Sequence, residues 1–158
     1  MQRRPDGSGA TPDVRIADFG ADNAAIRRIR FAVFVDEQKV PEEIEIDERD
    51  PFCVHVLAYL NGEAVGTGRV DVAREHGAAG KIGRVAVLAE ARRHGVGAAI
   101  MRALHRIAAE RGLSSVWCHA QVAAVPFYER LGYRSVGERF DEAGIEHVRM
   151  ERTEDGRA

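Results

Sequence analysis

The sequence predicts an α/β protein: a mixed sheet of about six or seven strands with helices on both faces. Helix-like and strand-like stretches alternate along most of the chain, which is the signature of helices laid against a sheet. Two hairpin signals, Asn61-Gly62 and the Asp141–Gly144 turn, put antiparallel pairs into that sheet. Between them, Lys81 to Gly97 (KIGRVAVLAEARRHGVG) runs from a β-branched strand through a glycine loop into a long helix.

The elements follow in order. Residues 1–12, rich in Gly, Pro, Arg and Ser, read as a disordered leader ahead of a single domain over 13–152. Val14 to Ala17 is a short strand. Asp22 or Asn23 caps a helix running to about Val35, with Ile26, Ile29, Ala32 and Val33 near helical spacing. Asp36 to Pro51 (DEQKVPEEIEIDERDP) is acidic, contains two prolines and reads as a loop with at most a short helical turn. Cys53 to Leu60 and Ala64 to Ala73 are hairpin strands around Asn61-Gly62, and Arg74 to Gly80 is a loop. Ile82 to Leu88 is the next strand. The helix from about Gly95 to Arg111 carries one apolar stripe, Val96, Ile100, Ala103, Leu104 and Ile107, and Gly112 stops it. Val116 to His119 is a strand, Val122 to Leu131 a short helix, and Tyr133–Arg139 with Ile145–Glu151 a last hairpin. Residues 153–158 read as a frayed tail.

Composition narrows the function. The formal net charge of −2 gives no global pull toward nucleic acid or anionic lipid. Any anion site must therefore be local, and Arg92-Arg93-His94 is the basic cluster in a structured context. Arg27, Arg28 and Arg30 read as a solvated helix face. No apolar run approaches the roughly 20 residues of a membrane span. The start of the chain lacks the apolar core of a signal peptide. The two cysteines, Cys53 and Cys118, lie in strand-like runs far apart in sequence. They read as free thiols of a reducing cytoplasm. Paired with His55 and His119 they supply no four-ligand set, so no metal is expected.

The glycine loop is the first site of interest. Backbone N–H groups converge at a helix N-terminus with the positive end of the helix dipole behind them, and Gly95 and Gly97 remove side chains from the approach. Downstream lies Gln121-Val-Ala-Ala-Val-Pro-Phe127-Tyr128-Glu-Arg-Leu-Gly132-Tyr133. Together the two stretches resemble the GNAT superfamily of acyl-CoA N-acetyltransferases. Its cofactor motif, Arg/Gln-x-x-Gly-x-Gly/Ala after a central strand, is matched by Arg92, Gly95 and Gly97. Its aromatic pair followed by Gly-aromatic is matched by Phe127-Tyr128 and Gly132-Tyr133. The resemblance spans about Val14 to Met150. The run Arg30 to Gln38 with Val40-Pro41, Asp47, Asp50 and His55 looks like one branch of that superfamily.

The resemblance implies a GNAT-like fold with a mixed, mostly antiparallel central sheet, and acetyl-CoA as acetyl donor. Val85, Ala86 and Val87 would pair by their backbone with the pantetheine arm. The N–H groups from Arg93 through His94, Gly95, Val96 and Gly97 to Ala98 would hold the pyrophosphate, with Arg92 and Arg93 adding charge-assisted contacts. Phe127 belongs to the same cofactor site. The family commonly has Asn where this chain has Gln121, so a similar cofactor contact with shifted geometry is expected. Tyr128 would protonate the leaving sulfur, and the Val87 N–H would stabilise the oxyanion. Glu37, Asp50 and His55 are candidates for a general base, unless a water chain replaces it. The expected partner is a small-molecule or peptide amine; members of the family are often dimers, and the sequence leaves the oligomeric state open. A catalytically silent CoA-binding sensor or regulatory module would use the same residues. A nucleotide cradle would need a Lys-Ser/Thr after the glycines, and this chain lacks one.

Overall fold

The computed structural model describes residues 11–45 and 47–153. Most of the expected leader and tail therefore lies outside the described residues. Thr153 is an exception: it pairs with Ser115 and closes the last strand rather than fraying.

Seven strands form one sheet: β1 (Asp13–Ala17), β2 (Cys53–Leu60), β3 (Glu63–Asp71), β4 (Ala79–Val87), β5 (Ser115–Gln121), β6 (Arg134–Glu142) and β7 (Ile145–Thr153). Their spatial order is β1-β2-β3-β4-β5-β7-β6. Every neighbouring pair is antiparallel except β4 and β5. The mixed, mostly antiparallel sheet is thus present. Both hairpins turn on two residues with positive φ, Asn61-Gly62 and Ala143-Gly144, as a type I′ turn requires. The second hairpin is longer than its sequence suggests. β6 continues past Arg139 to Glu142 because a bulge at Gly137 (φ 80) absorbs a register shift.

Two helical layers cover the sheet. On one face, α3 (Val96–Glu110) crosses β3, where Gly66 and Gly68 let it approach. A Cβ on either glycine would come within 2.8 Å of Ile100, which is itself fully buried. α4 (Val125–Arg130) lies on this side too, with Phe127 against Gly97 at the start of α3. On the other face, α1 (Asn23–Arg30) buries Ile26 and Ile29 over β3 and β4. The helix expected to end near Val35 instead widens into π-helical turns over Phe31–Glu37, with i→i+5 bonds such as Gln38 N–H to Val33 C=O (3.1 Å). The wider turn keeps Val33 in the core while carrying Glu37 and Gln38 over the sheet. The acidic loop holds the one-turn α2 (Glu42–Glu45) and a tight turn at Asp50–Phe52. Among the described residues no helix is long and apolar enough to cross a membrane.

His105 on α3 is 8% exposed and its Nε2 lies 2.7 Å from the Tyr133 hydroxyl. Burial, with the charge of Arg152 nearby, pushes this imidazole down to about 4. The unfolded chain, titrating near 6.5, therefore binds more protons than the folded one between those values. Stability should fall as pH drops from about 6.5 to about 4, by up to about 3 kcal/mol from this residue. Urea denaturation near pH 7 and near pH 5 measures it. His105→Gln, which keeps a partner for Tyr133, should flatten the slope; an unchanged slope would place the acid sensitivity elsewhere.

Candidate active site

β4 and β5 pair only at Ala79–Ser115, Gly80–Val116 and Lys81–Trp117. Beyond Lys81 they part. A bulge at Arg84 (φ 51) shifts the register of β4 on β3 and bends it, while β5 stays paired with β7 as far as Gln121. Between them opens a cavity of about 1010 Å³. The Leu88 N–H donates to the Val65 carbonyl on the β3 side, at 2.9 Å. Strand alternation then turns the amide and carbonyl of Val87 toward the opening. The Arg92 Nε donates to that carbonyl (3.0 Å).

At one end of the cavity stands the N-terminus of α3. Its first i→i+4 bond runs from Ala99 N–H to Gly95 C=O, so the N–H groups of Val96, Gly97 and Ala98 have no partner within the helix. Gly95 (φ 75) and Arg93 (φ 69) make the left-handed turn that aims them outward. A Cβ on Gly97 would touch the Phe127 ring at 3.4 Å. Tyr128 packs edge-on against Phe127 and Tyr133, half-buried on the cavity wall. Burial pushes its phenol above the usual value, and Cys118, a buried thiol itself pushed up to about 12, adds to the shift. Gln121 Nε2 donates to Gln38 Oε1 across the opening (2.8 Å).

The cavity brings together Val85, Ala86, Val87, Arg92, Arg93, Gly95, Val96, Gly97, Ala98, Gln121, Phe127, Tyr128 and Glu37. His94, Asp50 and His55 are not on its wall. Asp50 and His55 are each 2% exposed and belong to a buried ion cluster. Arg30 bridges Glu45 and Asp50; Arg69 bridges Asp50 (2.6 Å) and Asp47 (2.8 Å); Arg84 reaches Asp47 at 3.3 Å. Burial alone would raise the carboxyls of Asp47 and Asp50. The hydrogen bonds and charges of Arg69 and Arg84 at Asp47, and of Arg30 and Arg69 at Asp50, outweigh it and hold both below the usual range. Burial lowers His55, whose Nε2 meets the Asp50 carbonyl at 2.8 Å while its ring stacks on Phe19. Neither faces a space that a substrate amine can enter, so geometry removes both from the candidates for a base. Glu37 does line the cavity, but Arg92 forks onto it (2.6 and 3.0 Å) and holds its carboxyl low. Glu45 also lines the cavity, and its Oε2 has no hydrogen-bond partner among the described residues.

One group on the wall escaped the sequence motifs. On the α1 side, the β5-β7-β6 part of the sheet carries Trp117, His119, Phe140, His147 and Arg149, and no helix contacts there are comparable with those over β3. His119 Nδ1 donates to Glu142 Oε1 (2.9 Å), and its ring lies against Trp117 and Phe140. His147 Nδ1 donates to the Ile145 carbonyl (2.7 Å) and its Nε2 stays 3.8 Å from Glu142. The Cys118-His119 pair and the Glu142 turn were visible in sequence; their meeting depends on the pairing of β5 with β7 and of β7 with β6 across that turn. Among the described residues no three His, Cys, Asp or Glu side chains are grouped as metal ligands.

A helix N-terminus for an anion, a strand edge leading away from it and a half-buried phenol suit a transferase acting on a ligand with a phosphate head and an extended amide arm. The comparisons agree. Residues 17–154 match the acetyltransferase (GNAT) domain. The Bacillus subtilis protein YjcF, described as an uncharacterized N-acetyltransferase, is 44% identical over 123 residues, covering 77% of this chain and 86% of that protein. The crystal structure of an acyl-CoA N-acyltransferase from Pseudomonas aeruginosa superposes with a TM-score of 0.79 at 28% identity, covering 90% of this chain and 99% of that one. That of Escherichia coli ElaA gives 0.80 at 27%, over 90% and 99%. The chain belongs to the GNAT family of acetyltransferases. It is an acetyl-CoA-dependent N-acetyltransferase, moving an acetyl group from acyl-CoA to an amine.

The ion cluster makes a structural prediction. Arg30→Ala leaves Glu45 and Asp50 buried without their principal counter-charge and should destabilise the protein by roughly 3–5 kcal/mol. Thermal or urea unfolding measures this; a loss below about 1 kcal/mol, the range of surface pairs, would show that the cluster is solvated.

Proposed function

We propose that the chain transfers acetyl from acetyl-CoA to a primary amine of a small molecule or peptide, by direct attack of the amine on the thioester, with residues 13–152 acting as one catalytic domain. The observation that carries this reading is the shared cavity of Tyr128 and the Val87 strand edge. The residues fit the donor. The N–H groups from Arg93 to Ala98 and the Arg93 guanidinium suit its pyrophosphate. The backbone of Val85 to Val87 suits its pantetheine amides, with Gln121 and Phe127 closing the opposite wall. The thioester is the activated acyl group that the donor supplies.

Tyr128 holds its proton because burial disfavours the phenolate. It is thus a donor to the sulfur as negative charge builds there. The Val87 N–H, turned toward the opening, would donate to the carbonyl oxygen. Arg92 has a different task from a simple phosphate contact: it ties the Val87 carbonyl to Glu37 across the cavity. The free thiols Cys53 and Cys118 fit a reducing compartment.

Two measurements test this. Acetyl-CoA and CoA should each raise the melting temperature, by the equivalent of about 2.7 kcal/mol at a hundredfold excess over Kd, and ATP should not. Equal stabilisation by ATP would make the cradle a general nucleotide site. In a panel of spermidine, glucosamine, kanamycin and a lysine-containing tetrapeptide, thiol release should fall about 100-fold in Tyr128→Phe with little change in acetyl-CoA KM. Equal rates in the two proteins would remove Tyr128 as the acid.

A further inference from the structure

We propose that His119 is the general base that deprotonates the acceptor ammonium, oriented by Glu142; this rests on the acetyl-transfer reading above. Hydrogen-bond chemistry sets the ring. A carboxylate only accepts, so the nitrogen facing Glu142 Oε1 at 2.9 Å, Nδ1, carries the proton. In the neutral ring the lone pair is then on Nε2, the atom that takes a proton. Contacts with Trp117 (centroids 5.4 Å) and Phe140 (4.8 Å) hold the plane. The side chain is 26% exposed and lines the cavity that holds Tyr128 and Val87.

Register places it at the split. Lys81–Trp117 is the last β4–β5 pair, so His119 is the first side chain on the α1 face of β5 beyond the point where the strands part. Two residues beyond Lys81 on β4 stands Gly83. A Cβ built there meets nothing within 4 Å, and no positive φ explains the glycine. The missing side chain leaves open space on the face of the sheet that also carries the imidazole, which is room for an incoming amine. His147 is the less accessible of the two: it is 7% exposed, and its Nε2 is turned toward Glu142.

The step balances. His119 Nε2 takes one proton from R–NH3+, and the freed lone pair forms the C–N bond. As the C–S bond breaks, the sulfur takes the Tyr128 proton. The nitrogen loses its second proton on amide formation. One of the two nitrogen protons restores Tyr128 through solvent and the other is the net proton released.

The test uses two nucleophiles near neutral pH: n-butylamine, almost wholly protonated, and hydroxylamine, largely neutral and needing no base to start. In the wild type both should accelerate CoA release from acetyl-CoA above the enzyme-free rate with the same nucleophile, which is subtracted throughout because hydroxylamine cleaves thioesters unaided. His119→Gln should lower the butylamine rate at least about 100-fold, leave the hydroxylamine rate within about threefold and leave acetyl-CoA KM unchanged. Glu142→Gln, which weakens orientation only, should cost about tenfold with butylamine. Equal losses with both nucleophiles, or no loss with either, would overturn the assignment. A wild type that neither reagent accelerates would instead overturn the acetyl-transfer reading beneath it.

Discussion

The site depends on β4 and β5 being joined at one end and parted at the other. Three paired positions hold them together, and past Lys81 each strand keeps its outer partner, β3 for β4 and β7 for β5. The sheet therefore remains one body while its middle opens. Buried backbone groups ordinarily find partners. A parted strand turns such groups toward a space instead, which makes that space suited to an extended ligand able to bond to them. The side chains at the opening reinforce this, since Arg92 takes the Val87 carbonyl and Gln121 reaches across to Gln38.

A parted sheet needs bracing, and the α1 side supplies it with charge. Arg30, Glu45, Asp50, Arg69, Asp47 and Arg84 form one cluster that ties α1, the acidic loop, β3 and β4 together. Burying such groups costs several kcal/mol each unless each finds its partners, and here nearly every oxygen does. The geometry of the pairs fixes the loop on the bulge of β4 more narrowly than apolar packing would, because guanidinium–carboxylate forks are directional. The other face is braced by close packing, with α3 set onto Gly66 and Gly68.

This contrast explains what was readable in the chain. Strand periodicity, the Asn61-Gly62 turn and the stripe from Val96 to Ile107 are local signals, and each element stands within a few residues of its expected place. The family of the donor site was readable for the same reason. Its parts are glycines, a helix start and an aromatic pair, all close in sequence. The acidic stretch was misleading. A charge run is usually solvated, yet Glu45 and Asp50 are each 2% exposed, because their partners Arg30 and Arg69 lie on elements 15 to 20 residues away. Arg27 and Arg28 are solvated as expected; Arg30, in the same run, is not. Helical spacing separates them: Arg30 is four residues after Ile26 and three before Val33, on the buried stripe, while Arg27 and Arg28 lie off it.

The proposed acceptor wall was hidden by the same physics. His119 and Glu142 are 23 residues apart, and their contact requires β5 beside β7, β7 beside β6, and the two-residue Ala143-Gly144 turn that sets Glu142 opposite Ile145 on the α1 face. A one-residue change in that turn would send Glu142 to the opposite face, because side chains alternate along a strand. The proposed donor side is built on backbone at the start of α3, where side-chain identity matters little beyond the glycines. The proposed acceptor side is built on side chains of an edge hairpin and a loop. Substitutions there can change which amine is accepted without disturbing the split itself, so in this fold the donor is the part that a local motif can reveal and the acceptor is the part that needs the register.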